Sequence, residues 1–219
     1  AAGLAAIGDT GGQLRIEVIV VDNASTDGSA DMVRESFPSV RLVASNENLG
    51  YARALNRAFA AARGRYLLAL NDDTRVLPGA CESLVEFADR NPEVGVIAPR
   101  ILNPDGSVQR SSWRGFPSLG SALIEALYLW RIAPWLPFVR HSEASATAAD
   151  EPYPVDHVLG AAMMIRAEVL ETVGGMSEEY FLFLEETEWC LRVARAGWRI
   201  CVVPRAEIVH VGQQSVHTA

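Results

Sequence analysis

Apolar and polar positions fall into alternating blocks along the first half of the chain. "IEVIVV", residues 16–21, is apolar but for one acid and reads as a strand. It stops at "DNASTDGS", a cluster of turn residues, and a helix is predicted from about Ser29. "SVRLVASNENLG" supplies a second short strand and a loop. "YARALNRAFAAARG" is a helix with Leu55, Phe59 and Ala62 at helical spacing and Gly64 as its stop. "RYLLALNDDT" is a third strand, running into Asn71, Asp72 and Asp73; "GACESLVEFADRN" is a helix and "VGVIAPRIL" a strand. This alternation predicts an α/β domain with a mostly parallel central sheet flanked by helices.

The pattern changes over residues 113–141, where Leu119, Leu123, Leu127 and Trp130 lie along one side of a helix that Pro134 and Pro137 stop. Such a helix packs on the sheet or makes peripheral contact with a membrane. "SEASATAADEPYP" reads as a polar loop of small residues. A strand and a helix return in "VDHVLGAAMMIRAEVLETVGG". A further helix, from about Glu186 to Ala196, ends at Gly197 and leads into a last strand. The chain reads as one domain over residues 1–219. Residues 1–110 form its ligand-binding half, 111–152 a variable insertion and 153–219 a second half. "AAGLAAIGDTGGQLR" reads as a helix tail and a loop, whereas a nucleotide-binding α/β domain normally opens on a strand. An N-terminally truncated sheet of this kind is expected to expose apolar surface at the edge that strand would cover, and to associate through it.

Composition narrows the function. The net charge is -8 and all 19 basic residues are arginine. That balance excludes general nucleic-acid binding, and an anionic substrate would need a cation or a local Arg cluster. Cys81, Cys190 and Cys201 are odd in number and form no CxxC pair, which fits a reduced, cytoplasmic compartment. No secretory pattern opens the chain, and no apolar run reaches the roughly 18 residues of a membrane span.

The acids carry the candidate chemistry. In α/β sheets ligands bind at the carboxyl ends of strands, and Asp22 and Asp73 both sit there. A buried strand that ends in Asn71, Asp72 and Asp73 makes either a solvated turn or a hard-cation site; its position favours the cation. Asp22 either caps its turn or meets the ligand, while Ser25 and Asp27 suit capping of the next helix. Gly50 allows close backbone approach, and Arg53 is either a solvated helix charge or a phosphate contact. Glu185, Glu186 and Glu188 are either an acidic helix start favoured by the dipole or the home of a reacting carboxylate. His210, just after a strand, is structural or a ligand. Trp189 and Trp198 read as core.

"VIVVDNASTDGS", "NENLGYARALN", "LLALNDDT" and the segment from "GAAMMIRAEVLETVGG" through "FLFLEETEWCLRVARAGWRI" together resemble, in content and order, the family 2 glycosyltransferases. The resemblance covers roughly residues 4–215 and is closest to the bacterial rhamnosyltransferase-type branch, which builds cell-envelope polysaccharides. It implies the GT-A nucleotide-diphospho-sugar transferase fold. It also implies inverting transfer of a sugar, with rhamnose one candidate, from a nucleotide diphosphate sugar donor to a glycan or lipid-linked acceptor, aided by a divalent metal, Mg²⁺ or Mn²⁺. Residue by residue, Asp73 becomes a metal ligand and Asp72 a ribose or metal-shell contact. Asn71 stands where many relatives carry the first acid, a neutral residue there being common in this branch. Asp22 accepts a hydrogen bond from the donor's base, and Asn48, Gly50 and Arg53 fall in a second donor-side motif. Gly160 and Ala161 match a tight strand start under the acceptor site. Glu186 occupies the place of the catalytic Asp, one methylene longer, with Glu185 as the neighbouring alternative. His210 completes the metal shell.

Two other functions compete with transfer. One is a domain that binds nucleotide-sugar or glycan without chemistry, which the absence of an opening strand favours. The other is a nucleotidyltransferase, which would need a Gly-rich loop with Arg and Lys near the start; no such loop is found. The residues carry no signal for the acceptor's identity or for an oligomeric state.

Overall fold

A computed structural model describes residues 14–109, 112–113, 116, 149–179 and 184–211. The helix expected within residues 113–141, most of the polar loop after it, and the opening helix tail lie outside the described residues. The elements run β1 (Ile19–Asn23), α1 (Ser29–Ser36), β2 (Arg41–Ser45), α2 (Gly50–Ala61), β3 (Tyr66–Leu70), β4 (Thr74–Val76), α3 (Ala80–Arg90) and β5 (Val94–Leu102). They continue with β6 (Ser112–Trp113), β7 (Tyr153–Val155), β8 (His157–Val158), β9 (Ala162–Arg166), α4 (Ala167–Val173), α5 (Glu185–Arg195) and β10 (Arg199–His210).

A six-stranded sheet has the order β3-β9-β5-β10-β4, with β7 also on β10. β1 and β2 form a separate parallel pair, and β6 pairs with β8. The α/β class is as expected, but the sense of the strands differs from the mostly parallel sheet anticipated. Within the six-stranded sheet, among the described residues, the one parallel pairing of neighbours is β5 with β10. β9 inserts between β3 and β5 and runs antiparallel to both, as β4 and β7 do to β10. The reason lies in what periodicity encodes. An apolar run leading into a helix marks a buried strand, yet it carries no direction, and β9 looks the same in sequence whichever end it enters from. Tyr153–Val155, read as the end of a loop, is instead an edge strand.

The central strands are buried on both faces, and their side chains alternate between two cores. Val96, Met163, Ile165, Ile200 and Val202 face α2, α4 and α5, where Trp189 is fully buried. Ile97, Met164, Cys201 and Val203 face Leu84 and Ala88 of α3. All three cysteines are free and buried, and burial pushes the Cys190 thiol up to about 12, so it packs as an apolar group. Arg166, also buried, closes the far end of α3 by donating from Nη2 to the Ala88 carbonyl at 2.8 Å and lies over the Tyr66 ring.

Two features aim the sheet at one site. β10 slips register between Val203 and Glu207, so its first part pairs β7 and its last part pairs β4. That bend brings His210 opposite Thr74, beside the acids that end β3. Among the described residues β1 and β3 share no ladder, and each leaves one edge unpaired. The half-buried Ile19, Val20, Val21, Leu67, Leu68 and Leu70 lie along those two strands.

Gly95 sets how closely β5 meets its neighbours. A Cβ there would lie 2.6 Å from Val169 Cγ2 and 3.0 Å from Trp198 Cβ, neither of which is the free end of a flexible chain. Gly95→Ala is therefore expected to lower stability by about 1–3 kcal/mol, the usual range for overpacking. Urea unfolding checks this, with a lower midpoint and an unchanged slope.

Candidate active site

Asp22, the last residue but one of β1, is buried and makes no side-chain hydrogen bond within the described residues. The next residue, Asn23, ties this strand end to the loop before α2. Its Nδ2 donates to Asn48 Oδ1 at 2.9 Å, and its Oδ1 accepts the Leu49 amide at 2.7 Å. Asn48 Oδ1 also accepts the Gly50 amide at 3.0 Å, so the oxygen of Asn48 shapes the loop. Gly50 has φ 73°, a left-handed conformation that favours glycine. Arg53, one turn into α2, lies 3.5 Å from Glu178, with both side chains about half exposed. Asn23 was not singled out in the sequence; the signal is an Asn at a strand end with a second Asn in the following loop.

β3 stops where the Asn71 amide donates to the Ala161 carbonyl at 3.0 Å. Thr74 then closes a tight turn, its amide and its Oγ1 both donating to the Asn71 carbonyl at 3.2 and 2.6 Å. The two acids inside that turn diverge. Asp72 is exposed. Asp73 points inward, and its backbone carbonyl accepts the Val211 amide at 3.0 Å. The pairing of β4 with β10 brings His210 Nε2 to 3.3 Å from Asp73 Oδ1, with side chains only 11% and 12% exposed. The other ring nitrogen, Nδ1, lies 2.8 Å from Gln109 Oε1.

Asp73 Oδ1 is buried and has no hydrogen-bond partner. A buried acceptor left in that state costs about 1–3 kcal/mol, unless something positive meets it. The pair fits a divalent cation. Neighbouring ligands at right angles around an ion with bonds of about 2.1 Å lie about 3 Å apart. No third His, Cys, Asp or Glu joins them among the described residues. The protein would thus supply two ligands, with water and anionic substrate oxygens as the rest, the usual arrangement where phosphate is bound.

α5 opens just after Leu184, an exposed residue at φ 72°. Its two leading glutamates part ways. Glu185 is 3% exposed, and its Oε2 has no partner. Burial, with the neighbouring charge of Glu186 adding, raises its carboxyl above the ordinary range. Glu186 is half-buried, and its Oε1 faces the Gly160 amide at 3.4 Å. The carbonyl of the same Gly160 accepts the Tyr51 hydroxyl at 2.7 Å. A Cβ at 160 would come within 2.8 Å of that hydroxyl, so the contact requires glycine. Burial, helped by the carboxylates of Glu186 and Glu185, pushes the Tyr51 phenol upward and keeps it a donor.

The rest of α5 is anchored. Trp189 Nε1 donates to the Gly174 carbonyl, and Arg192 donates to those of Val173 and Gly175, each at 2.9 Å. Glu188 pairs with Arg192 at 2.8 Å and is structural. A chain of contacts therefore joins the expected residues. Asn23 links the end of β1 to Gly50; Tyr51 links α2 to Gly160 and Glu186; Ala161 links that strand start to Asn71; and Asp73 meets His210. Asp22, Asp73, Glu186 and His210 stand along this one connected edge, with Asp72 beside it in solvent and Arg53 turned to Glu178. Gln109, like Asn23 and Tyr51, is a residue that the motifs did not point to.

The chain resembles known proteins in both sequence and fold. Residues 4–174 match the family described as glycosyl transferase family 2, and residues 140–214 match the N-terminal domain of galactosyltransferase. The chain is 31% identical over 208 residues to an N-acetylglucosaminyl-diphospho-decaprenol L-rhamnosyltransferase of Mycobacterium tuberculosis, covering 89% of this chain and 66% of that protein. It is 27% identical to the low-salt glycan biosynthesis hexosyltransferase Agl10 of Haloferax volcanii, over 89% of this chain and 58% of the relative. The chain thus spans somewhat less than two thirds of either relative. Among solved structures it resembles GalNAc-T7 with UDP, GalNAc and Mn²⁺, at TM-score 0.65 and 15% identity, covering 90% of this chain and 38% of the other. It also resembles the mannosyltransferase PcManGT of Pyrobaculum calidifontis in complex with GDP-Man and Mn²⁺, at TM-score 0.59 and 22% identity, covering 90% and 48%. The fold is that of the GT-A glycosyltransferases, and with a family match spanning most of its length, the chain belongs to glycosyl transferase family 2.

Proposed function

We propose that this chain carries the donor site and the catalytic base of an inverting, metal-dependent glycosyltransferase. It moves a sugar, rhamnose in the first instance, from a nucleotide diphosphate sugar to a glycan or lipid-linked acceptor in cell-envelope polysaccharide synthesis. The reaction is placed in the cytoplasm, at the inner face of the membrane, where a lipid-linked acceptor is within reach. Among the described residues no helix is long and apolar enough to cross a membrane. The observation that carries the reading is the buried, unpartnered Asp73 oxygen facing His210 at a strand end.

Each residue then has a task. Asp22 receives the base at the end of β1, and Gly50 lets the backbone approach the donor. Asp73 and His210 would hold the divalent cation, which when bound neutralises charge growing on the leaving diphosphate. Glu186, steadied by the Gly160 amide, takes the proton from the acceptor hydroxyl as that oxygen attacks the anomeric carbon. Attack on the face opposite the leaving diphosphate inverts the configuration. Glu185 is a poor base by comparison, because it is turned into the core and burial favours its protonated form. The relatives' names, a rhamnosyltransferase acting on a decaprenyl-linked sugar and a hexosyltransferase of glycan synthesis, support the substrate class.

One observation favours the alternative of a binding domain without chemistry: β1 and β2 share no ladder with the larger sheet among the described residues. Mutation separates the two readings. Asp73→Ala is expected to abolish Mn²⁺-dependent binding of a nucleoside diphosphate while leaving thermal unfolding nearly unchanged. Isothermal calorimetry with uridine and thymidine diphosphates checks this, and unchanged metal-dependent affinity would remove Asp73 from the site.

Glu186→Gln is expected to keep donor binding and to slow transfer by about 10²–10⁴-fold, since the amide cannot take the proton. Glu185→Gln should leave turnover far closer to normal. Steady-state rates with a panel of nucleotide sugars decide between them. If Glu185→Gln is the dead variant, the base is the neighbouring acid; if neither variant slows turnover, the binding-domain reading replaces the enzyme.

A further inference from the structure

We propose that Gln109 is a positioning residue for the cation site, its amide carbonyl accepting Nδ1–H of His210 and thereby turning a bare Nε2 toward Asp73. The inference rests on the reading of Asp73 and His210 as cation ligands given above.

The argument starts from the chemistry of a neutral imidazole, which has one N–H donor and one acceptor nitrogen. A carbonyl oxygen can only accept. Gln109 Oε1 lies 2.8 Å from Nδ1, and in a neutral ring facing that oxygen the proton sits on Nδ1. Nε2 is left with a lone pair, and it faces Asp73 Oδ1 at 3.3 Å. That oxygen has no other partner. Two lone-pair atoms are therefore held together in a nearly buried corner, an arrangement that a cation between them relieves. In the opposite arrangement the amide would donate to Nδ1, and Nε2–H would donate to Asp73. His210 and Asp73 would then satisfy each other, and a metal would have to break that bond. The orientation of one amide thus decides whether the pair is open to a metal or closed upon itself.

The fold delivers Gln109 to this place by a built turn. "NPDGS" reverses the chain after β5. Asn103 exchanges backbone hydrogen bonds with Gly106 and Ser107, and Asp105 Oδ1 accepts both the amide and the hydroxyl of Ser107 at 2.9 and 2.6 Å. Gly106 takes the left-handed conformation the turn needs, with φ 83°. The returning segment is pinned by a bridge between Leu102 and Val108 and by the Gln109 amide donating to the Ile101 carbonyl at 2.7 Å. Since Ile101 and Leu102 are in register with Ile208 and Val209 of β10, the side chain of Gln109 arrives within reach of His210. Partners that fix the tautomer of a ligating histidine typically contribute 10–100-fold to metal affinity.

The test reads the tautomer and the metal separately. In the metal-free protein, long-range ¹H–¹⁵N spectra of the imidazole should show His210 protonated on Nδ1. Gln109→Met, of similar length but with no oxygen, should lose that signature and weaken Mn²⁺ binding by about 10-fold or more, measured by electron paramagnetic resonance with uridine or thymidine diphosphate present. Gln109→Glu, which still accepts from Nδ1–H, should restore both. A wild-type spectrum showing Nε2–H overturns the proposal, as does Gln109→Met with unchanged tautomer and Mn²⁺ affinity. Should Gln109→Met not fold, the wild-type spectrum and Gln109→Glu decide alone. Asp73→Ala serves as the control. If it abolishes Mn²⁺ binding while Gln109→Met does not weaken it, Gln109 alone is misassigned. If Asp73→Ala leaves Mn²⁺ binding intact, the cation site itself is elsewhere and the inference falls with it.

Discussion

Everything at the site depends on a short antiparallel pairing, three residues of β4 against the last three of β10. That ladder places His210 across from Thr74 and, through it, against Asp73. Without it the two side chains come from positions 137 residues apart in sequence, 210 less 73, with no local reason to meet. The pairing depends in turn on the register slip in β10, which lets one strand serve β7 first and β4 later. Both ends of the ladder are tied by backbone bonds, Val211 to the Asp73 carbonyl at one and Leu77 to the Glu207 carbonyl at the other. These bonds hold the Asp73 carboxylate and the His210 ring 3.3 Å apart in a nearly buried corner.

A second junction does for Glu186 what the ladder does for Asp73 and His210. The peptide groups flanking Gly160 are used in both directions, the carbonyl by Tyr51 and the amide by Glu186. Ala161, next in the chain, receives the amide of Asn71. A strand start with no side chain of its own at position 160 thus connects α2, the turn that carries Asp73, and the start of α5. The loop before α2, by contrast, is organised by side chains, with Asn23 donating to Asn48 and the two side-chain oxygens accepting the Leu49 and Gly50 amides. Among the described residues that half shares no ladder with the larger sheet, so side-chain bonds and the packing of α2 hold it in place.

Much of this was legible beforehand, for identifiable reasons. Buried strands announce themselves as continuous apolar runs, which is why β3 and β5 were placed correctly. Turn chemistry placed α1, the loop before α2 and the stop at Gly197. Acids at strand ends could be located in advance, because the carboxyl edge of a sheet follows from α/β architecture and needs no tertiary detail. Strand direction was not legible. β9 reads as one more strand-then-helix unit, yet it runs antiparallel to both neighbours, since periodicity specifies burial and leaves polarity open. Gln109 was hidden for a different reason. A glutamine after a turn has no pattern of its own, and its meaning appears only when a strand from the far end of the chain brings a histidine to it.

The pair Glu185 and Glu186 shows where sequence stops and packing decides. Adjacent residues on a helix point about 100° apart, so only one of two neighbouring acids can face a given cleft. Either choice was chemically reasonable from composition alone. In the folded chain the helix is rotated by the burial of Trp189, Cys190 and Val193 and is clamped at Val173–Gly175 by Trp189 and Arg192. That rotation turns Glu185 into the core and leaves Glu186 at the Gly160 amide. The role of each acid thus follows from large apolar side chains a turn further along. Their packing specifies the orientation of the helix to a degree that two glutamates in its first turn could not.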